Sequence, residues 1–286
     1  MFVYQNGEFI NKDAARISPF DHGFLYGMGV FETFRVYEGH PFLLDDHLER
    51  INHSLDTLMI MHTFDRNEIN LILQDLLQIN QLKNAYIRLN VSAGVGEVGL
   101  SVAPYDQPGV MIFSKPLPPG GELLEKRAVL LNLKRNSPEG DERLKSHHFM
   151  NNMLAKREIG HADDVEGIFL TVDGYVAEGI VSNVFWVKGD VLYTPSLQTG
   201  ILNGITRQFV IQLGRKNNLQ IDEGLYTPEQ LMEADEIFIT NSIQEIVPIK
   251  SFGEREFPGR KGRLVYLLHQ DYRYYCHHLW SRNNIS

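Results

Sequence analysis

The chain has 286 residues, 43% of them hydrophobic, which is enough to bury a sizeable core in one large domain or two smaller ones. Its formal net charge of −9 gives a surface that repels nucleic acid and anionic membranes, so neither is expected as a partner. The single cysteine, Cys276, excludes an intrachain disulfide. With no signal peptide and no run of about 18 apolar residues, the sequence predicts a cytoplasmic protein.

The first 120 residues mix strand and helix patterns. Asn6-Gly7 lies between two short apolar pairs and predicts a hairpin, and Val30 to Tyr37 predicts a longer strand. The later elements are helices marked by Leu48 to Leu58 and by Ile69 to Leu77, and strands over Tyr86 to Val91 and Val110 to Phe113.

The run from Pro116 to Gly121 is typical of a linker. It predicts a domain boundary near residue 120, with an N-terminal domain over 1–120 and a C-terminal domain over 121–286. The second half lacks regular β-α-β alternation, which indicates an α+β fold. Its predicted elements are a strand over Ala128 to Leu133, a helix from about His148 to Ile159, hairpins at Asp173-Gly174 and Lys188-Gly189-Asp190, a helix opening at Gly204, a capped helix start at Thr227-Pro228, a strand over Ile237 to Thr240 and an amphipathic helix after Lys250.

Two motifs suggest other chemistries. Gly94-Val-Gly96-Glu-Val-Gly99 follows a strand and matches a dinucleotide-binding pattern, which makes a nucleotide-dependent oxidoreductase one alternative. That function needs a helix to begin there, but prolines at 104 and 108 follow, so a glycine-rich active-site loop is favoured. The paired histidines His147-His148 and His277-His278 lack the i, i+4 spacing of a chelating pair, and no metal site is predicted.

Two charged residues could act on an amino group. Lys145 lies just before a predicted helix, where a lysine is usually a solvated surface residue. As a Schiff-base lysine it would instead need a lowered pKa, so that the free amine can attack and later take a proton. Glu178 follows a predicted hairpin and is either a surface acid or the partner of a pyridine nitrogen, which it would keep protonated.

A phosphate site is indicated where Gly204-Ile205-Thr206 opens a helix. The first amides of a helix are unpaired and carry the positive end of its dipole, so they bind phosphate well. Ordinary capping by Asn203 or Thr206 explains the same residues. Arg50 could add a charged donor, although a lone arginine on an amphipathic helix is commonly a surface residue.

The order of these segments resembles the fold-type IV pyridoxal 5′-phosphate (PLP) enzymes, which include branched-chain aminotransferases, D-amino acid aminotransferases and aminodeoxychorismate lyases. The resemblance covers about residues 2 to 250. The matching segments are Phe20 to Gly27 with Val30-Phe31-Glu32, His47 to Ile51, Lys145-Ser146, Glu178-Gly179 with Ser182 to Phe185, Gly204 to Arg207, and Thr240 to Ser242 with Glu245 to Pro248.

The resemblance implies a two-domain, D-amino acid aminotransferase-like fold, in which a smaller N-terminal α/β domain and a larger C-terminal domain hold PLP at their interface. It implies that Lys145 binds PLP covalently and that Glu178 pairs with the pyridine nitrogen. It also implies a homodimer. The other cofactor-binding residues it implies are Arg50, Ser182, Asn183, Ile205, Thr206, Asn241 and Ser242.

Within this family the chain most resembles the aminodeoxychorismate lyases, through Ser18 to Gly27, Phe31 to Arg35, Arg135 to Gly140 and Leu144 to His148. That likeness implies elimination of pyruvate from 4-amino-4-deoxychorismate, which gives 4-aminobenzoate for folate biosynthesis.

One segment favours an alternative. Tyr86-Ile87-Arg88 resembles the substrate side of branched-chain aminotransferases, so an aminotransferase acting on branched-chain or D-amino acids remains open. Phe31 stands where D-amino acid aminotransferases carry a tyrosine, which weakens the D-amino acid alternative. The expected substrate-binding residues are Phe31, Arg35, Tyr86 and Arg88.

Overall fold

The computed structural model describes residues 1–285 and divides them into two compact units. The first comprises Met1–Gly120, Leu144–His148 and the chain from Cys276 onward. The second comprises Gly121–Arg143 and Phe149–Tyr275. Each unit combines a sheet with helices, which confirms the α+β class.

The first unit is built on one antiparallel sheet. Its strands are β1 (Phe2–Gln5), β2 (Glu8–Asn11), β3 (Gly29–Tyr37), β4 (His40–Pro41), β5 (Ala85–Ser92) and β6 (Gly109–Pro116). They lie in the order β2-β1-β6-β5-β3-β4, and all neighbours are antiparallel. Its helices are α1 (His22–Tyr26), α2 (Leu44–Thr57) and α3 (Arg66–Ile79), and a 3₁₀ turn spans Arg282–Asn284.

Apolar periodicity explains how this unit folds. The hairpin between β1 and β2 turns at Asn6 and Gly7, both with positive φ, as a two-residue turn requires. Helices α2 and α3 bury one face each, and their apolar residues share a core cluster with the sheet, where full burial of each large side chain contributes roughly 1.5–3 kcal/mol. Both predicted helices and all four predicted strands are confirmed.

The second unit is built on a mixed sheet. Its strands are β7 (Lys126–Leu130), β8 (Val165–Leu170), β9 (Val176–Gly179), β10 (Asn183–Lys188), β11 (Val191–Pro195), β12 (Gln220–Gly224), β13 (Glu236–Asn241), β14 (Glu245–Phe252) and β15 (Arg255–Glu256). Their order is β12-β11-β10-β13-β14-β7-β8-β9, and β15 pairs with β14. Its helices are α4 (Met150–Ile159), α5 (Ile205–Lys216), α6 (Pro228–Met232) and α7 (Arg263–Tyr275), with 3₁₀ turns at Leu197–Thr199 and Gly259–Lys261.

Local signals account for several of these elements. Thr227 begins α6 with the predicted capping box, in which Gln230 reaches back to the Thr227 amide at 2.9 Å. Helix α5 begins directly after Gly204, and α7 is the helix predicted for the tail. The predicted strand at Ala128 lies two residues earlier, at Lys126–Leu130, because it pairs in parallel with β8 and β14.

No helix within residues 1–285 has both the length and the apolar character that a membrane span requires.

Candidate active site

Lys145 is held in place by backbone pairing with the start of β3. The Phe31 amide donates to the Lys145 carbonyl at 2.9 Å, and the His147 amide donates to the Gly29 carbonyl at 3.0 Å. A Cβ at Gly29 would lie 2.3 Å from the His147 ring, so glycine is required for this close approach. The sequence places Lys145 at a helix entrance, but α4 begins only at Met150. The strand pairing therefore fixes the lysine.

The side chain of Lys145 lies against Phe31. Its Nζ is 4.6 Å from the centre of the Phe31 ring, and the guanidinium carbon of Arg88 lies 3.6 Å from the same centre. Strands β3 and β5 bring these residues together, since Phe31 pairs with Asn90 and Thr33 with Arg88. An amine beside an apolar ring and a second cation is a setting in which proteins use lysine as a nucleophile.

Arg88 is partly buried, and its partners among the described residues are neutral. Asn90 Oδ1 accepts from Arg88 Nε at 3.3 Å and from Nη2 at 3.1 Å. Burial lowers the pKa of Arg88, and interaction with the Tyr86 hydroxyl opposes this shift. A guanidinium whose charge is not balanced by a carboxylate is a suitable partner for the carboxylate of a bound molecule.

His147 belongs to the same cluster as Lys145 and Arg88. Its Nε2 lies 3.2 Å from Asn90 Oδ1, and its ring stacks 6.5 Å from that of Phe31. Burial, followed by the charge of Arg88, lowers the pKa of His147 to about 4. The imidazole is therefore neutral at physiological pH, and its Nε2–H donates to Asn90. The sequence offers no signal for this role beyond the nearness of His147 to Lys145.

The low pKa of His147 predicts acid sensitivity. A group whose pKa falls on folding contributes stability above its ordinary value of 6.5, and loses it as pH falls toward about 4. We expect the urea midpoint of the wild type to fall over this window, and His147→Gln to reduce the fall. Urea titrations of both proteins at several pH values measure the difference. Identical pH profiles would contradict the assignment.

A buried cluster on β3 and α2 holds Arg50. Glu32 Oε1 accepts from Arg50 Nε at 2.6 Å, and Glu32 Oε2 accepts from Arg50 Nη2 at 2.8 Å and from His47 Nδ1 at 2.7 Å. Burial alone would raise the pKa of Glu32, but Arg50 and His47 hold it at about 2. Glu32 therefore stays ionised and fixes the Arg50 guanidinium. The sequence-based prediction included Arg50 and gave Glu32 and His47 no role, although a carboxylate inside an apolar strand is itself a signal.

Glu178 is buried in the second unit and fully engaged. Its Oε1 accepts from Arg135 Nε at 2.7 Å, and its Oε2 accepts from the Leu202 amide at 3.1 Å and lies 3.5 Å from Asn183 Nδ2. These donors keep the carboxylate ionised and oriented. Arg135 appears in the sequence only as part of the family likeness, and its contact with Glu178 is not visible there.

The start of α5 offers donors for an anion. Its N-cap, Gly204, has no side chain, and no side-chain hydrogen bond caps the helix. A Cβ at Gly204 would lie 2.2 Å from Asn183 Oδ1, so the close approach there requires glycine. The Thr206 hydroxyl lies 3.2 Å from that of Ser242, which brings two more donors to this helix end. Amides at a helix N-terminus and two hydroxyls form a donor set suited to phosphate.

Three other predicted cofactor residues have structural partners within the second unit. The Ser182 hydroxyl donates to Glu166 Oε1 at 2.8 Å. Asn183 Nδ2 donates to the Leu202 carbonyl at 2.9 Å. Asn241 Oδ1 accepts from the amides of residues 243 and 244, at 3.0 and 2.7 Å, and so stabilises its own turn. Ser242 rather than Asn241 therefore lies at the start of α5.

Two predicted substrate residues are placed differently from Phe31 and Arg88. Arg35, also on β3, is buried; its Nη2 donates to the Pro118 carbonyl, and its guanidinium carbon lies 5.1 Å from the centre of the Tyr37 ring. Tyr86 lies beside Lys115, whose Nζ is 4.6 Å from the Tyr86 ring centre. The structure brings Phe31, Arg88 and Lys145 together and leaves Arg35 outside that group.

The groups present match the chemistry of PLP. An amine can join its aldehyde carbon, a carboxylate can pair with its ring nitrogen, and the donors at the start of α5 suit its phosphate. The glycine at that helix start leaves room that a side chain would fill. Within residues 1–285, no group of three or more histidine, cysteine, aspartate or glutamate side chains is arranged to hold a metal ion.

Comparison with known proteins shows the family. Residues 29–252 match the family described as Amino-transferase class IV. The chain is 50% identical over 273 residues to the aminodeoxychorismate lyase of Bacillus subtilis, which covers 95% of this chain and 93% of the relative.

Two solved structures share the fold. The branched-chain aminotransferase of Thermoproteus uzoniensis with norvaline has a TM-score of 0.85 and 28% identity, with 96% of this chain and 93% of that chain covered. The branched-chain amino acid aminotransferase of T.th. with pyridoxamine 5′-phosphate has a TM-score of 0.84 and 27% identity, with 95% and 92% covered. The chain therefore belongs to the class IV aminotransferase family, and its cofactor is PLP.

Proposed function

We propose that this enzyme is a 4-amino-4-deoxychorismate lyase, which eliminates pyruvate from its substrate and releases 4-aminobenzoate for folate biosynthesis. The observation that carries the proposal is the 50% identity to a lyase of this name over 95% of the chain. The cluster of Lys145, Phe31 and Arg88 supports it, because it combines a reactive amine with a cation for an anionic substrate.

The cofactor-binding residues are assigned by chemistry. PLP supplies an aldehyde carbon that joins amines and a ring that takes up electrons. Lys145 binds it covalently, and the ionised Glu178 accepts a hydrogen bond from its ring nitrogen. The amides of Ile205 and Thr206, the hydroxyls of Thr206 and Ser242, and the guanidinium of Arg50 bind its phosphate.

Lys145 also moves the proton. Its amine, released when the substrate amino group takes its place, removes the hydrogen from carbon 4 of the substrate. The bond between carbon 3 and oxygen then breaks, and its electron pair leaves with enolpyruvate, which becomes pyruvate on protonation. The six-membered ring becomes aromatic, so the elimination is strongly downhill and needs no oxidant. The protein mainly supplies position and proton transfer.

Arg88 binds a substrate carboxylate in this proposal. We expect Arg88→Ala to raise KM by roughly 10- to 100-fold, because a charged hydrogen bond is worth about 1.5–3 kcal/mol. Arg88→Lys should recover only part of the loss, since lysine cannot form a bidentate pair. Steady-state kinetics on both variants, with Arg263→Ala as an exposed arginine control, measure this. An unchanged KM in Arg88→Ala would remove the assignment.

Product analysis tests the function itself. Purified enzyme given 4-amino-4-deoxychorismate should release pyruvate and 4-aminobenzoate in equal amounts. The rival is an aminotransferase for branched-chain or D-amino acids, supported by the structural similarity to a branched-chain aminotransferase. That rival predicts rapid, complete conversion of the cofactor to its pyridoxamine form by an amino acid, with no pyruvate released from aminodeoxychorismate. This second result would reject the lyase.

We also infer that the enzyme works as a cytoplasmic homodimer. Several apolar side chains of the first unit are exposed, and burial against a second copy would remove them from water; they are Phe24, Val98, Leu100 and Val102. Light scattering coupled to size-exclusion chromatography measures the mass in solution, and a monomer at working concentration would contradict the dimer. Cell fractionation tests the location.

A further inference from the structure

The C-terminal tail, defined here as the chain from Cys276 onward, belongs to the first unit although α7 before it belongs to the second. Within the first unit it lies against the beginning of α2, the helix that carries His47 and Arg50. Leu279 is buried, and Trp280 packs edge-on against the His40 ring at 4.7 Å. The tail is therefore a built part of this unit.

The tail supplies the N-terminal cap that α2 lacks. The N-cap residue Leu43 makes no side-chain capping bond, so the first amides of the helix need other acceptors. The carbonyls of the tail provide them: the Leu43 amide donates to Leu279 at 3.1 Å and the Asp45 amide to Trp280 at 3.0 Å. Leu43 is buried with φ of +54°, a conformation that costs a leucine about 1–2 kcal/mol and persists only when its surroundings fix it.

A buried ion pair joins the tail to the same helix. Asp46 is 1% exposed and accepts from the Arg282 amide at 2.7 Å and from the Ser281 hydroxyl at 3.3 Å. The Arg282 guanidinium also pairs with Asp46. Next along the helix, His47 contacts Glu32, which in turn holds Arg50. The positions of Asp46, His47 and Arg50 therefore depend on one helix fixed by both the tail and Glu32.

We propose that the C-terminal tail positions α2, and through it Arg50, for binding the phosphate of the cofactor, with Arg282 as the main positioning residue. The inference rests on the proposed phosphate role of Arg50. It assigns the last residues of the chain a function in cofactor affinity rather than in the chemical step. Since the tail contacts α2 and not the cofactor, its effect should depend on the phosphate group.

The test compares the affinity of the apoenzyme for PLP and for pyridoxal, which lacks the phosphate. The variants are Arg282→Ala, Arg282→Lys and a chain that ends before Leu279, and Arg263→Ala serves as a control because its ion pair with Asp190 is exposed. We expect Arg282→Ala to weaken PLP binding on the order of tenfold, as loss of a charged hydrogen-bond partner does, and to leave pyridoxal binding unchanged. Arg282→Lys should recover part of the loss.

Two further measurements separate positioning from general damage. Hydrogen exchange at the amides of Leu43 and Asp45 should accelerate in Arg282→Ala and in the truncated chain. In a double-mutant cycle, Arg282→Ala should add little to Arg50→Ala, because both act on the same phosphate contact. Additive losses, equal losses for PLP and pyridoxal, or unchanged PLP affinity in the tail variants would each overturn the inference.

These outcomes do not depend on turnover. A wild-type enzyme that binds PLP in a tail-dependent way but releases no pyruvate would refute the proposed function and leave the tail inference intact. Weakened PLP binding in Arg50→Ala, with none in the tail variants, would refute the tail inference alone.

Discussion

Lys145→Ala is expected to lower the rate of pyruvate release by on the order of a thousandfold or more, because the variant lacks both the covalent anchor of the cofactor and the base that removes the proton. The protein should remain folded, since Lys145 is positioned through backbone hydrogen bonds that alanine keeps. Pyruvate assays under saturating PLP measure the rate, and the absorbance of the bound cofactor reports the lost covalent link.

A matched control guards this result against nonspecific effects. Lys156 lies on α4, is exposed and donates to the Ala162 carbonyl at 3.2 Å, so Lys156→Ala should keep both the turnover and the absorbance. Retention of wild-type turnover by Lys145→Ala would show that another group removes the proton, and the proposed mechanism would be wrong.

Glu32→Gln should be the most damaging substitution for stability among those considered. The carboxylate is 1% exposed and balances Arg50 and His47 within the core of the first unit. An amide of the same size leaves the Arg50 cation without a charged partner, and breaking a buried ion pair in this way costs about 3–5 kcal/mol. Urea unfolding of the apoenzyme measures the loss.

The same substitution should weaken PLP binding, because Glu32 fixes the guanidinium assigned to the phosphate. Glu233→Gln is the control, since Glu233 forms an exposed ion pair with Lys188 and its removal should leave the unfolding midpoint nearly unchanged. A Glu32→Gln protein with wild-type stability would mean that the buried cluster contributes far less than its geometry indicates.

Local sequence patterns were sufficient for most of the fold. Apolar spacing located α2, α3 and α7, the Thr227-Pro228 pair located the start of α6, and Asn6-Gly7 located the first hairpin. These features depend on neighbouring residues, so periodicity and capping reveal them. The order of short motifs also led to the family and the cofactor, because several weak signals in one sequence order are together specific.

The remaining features depend on residues far apart in the chain. Pairing of Lys145 with the start of β3 and the return of the tail to α2 follow from long-range packing, which no local period encodes. The partners of Arg50 and Glu178 are hidden for the same reason: Glu32 and Arg135 lie 18 and 43 residues away from them. A sequence shows that a charged residue is present, but the fold decides which residue neutralises it.

Trapping the cofactor on its lysine tests the central claim most directly. Borohydride added to enzyme purified with PLP should fix a pyridoxyl group to the chain, and peptide mass mapping should find it on Lys145 in nearly every molecule. Protein that binds PLP but carries the group on another lysine, or carries none, would contradict the assignment on which both the fold family's chemistry and the proposed reaction depend here.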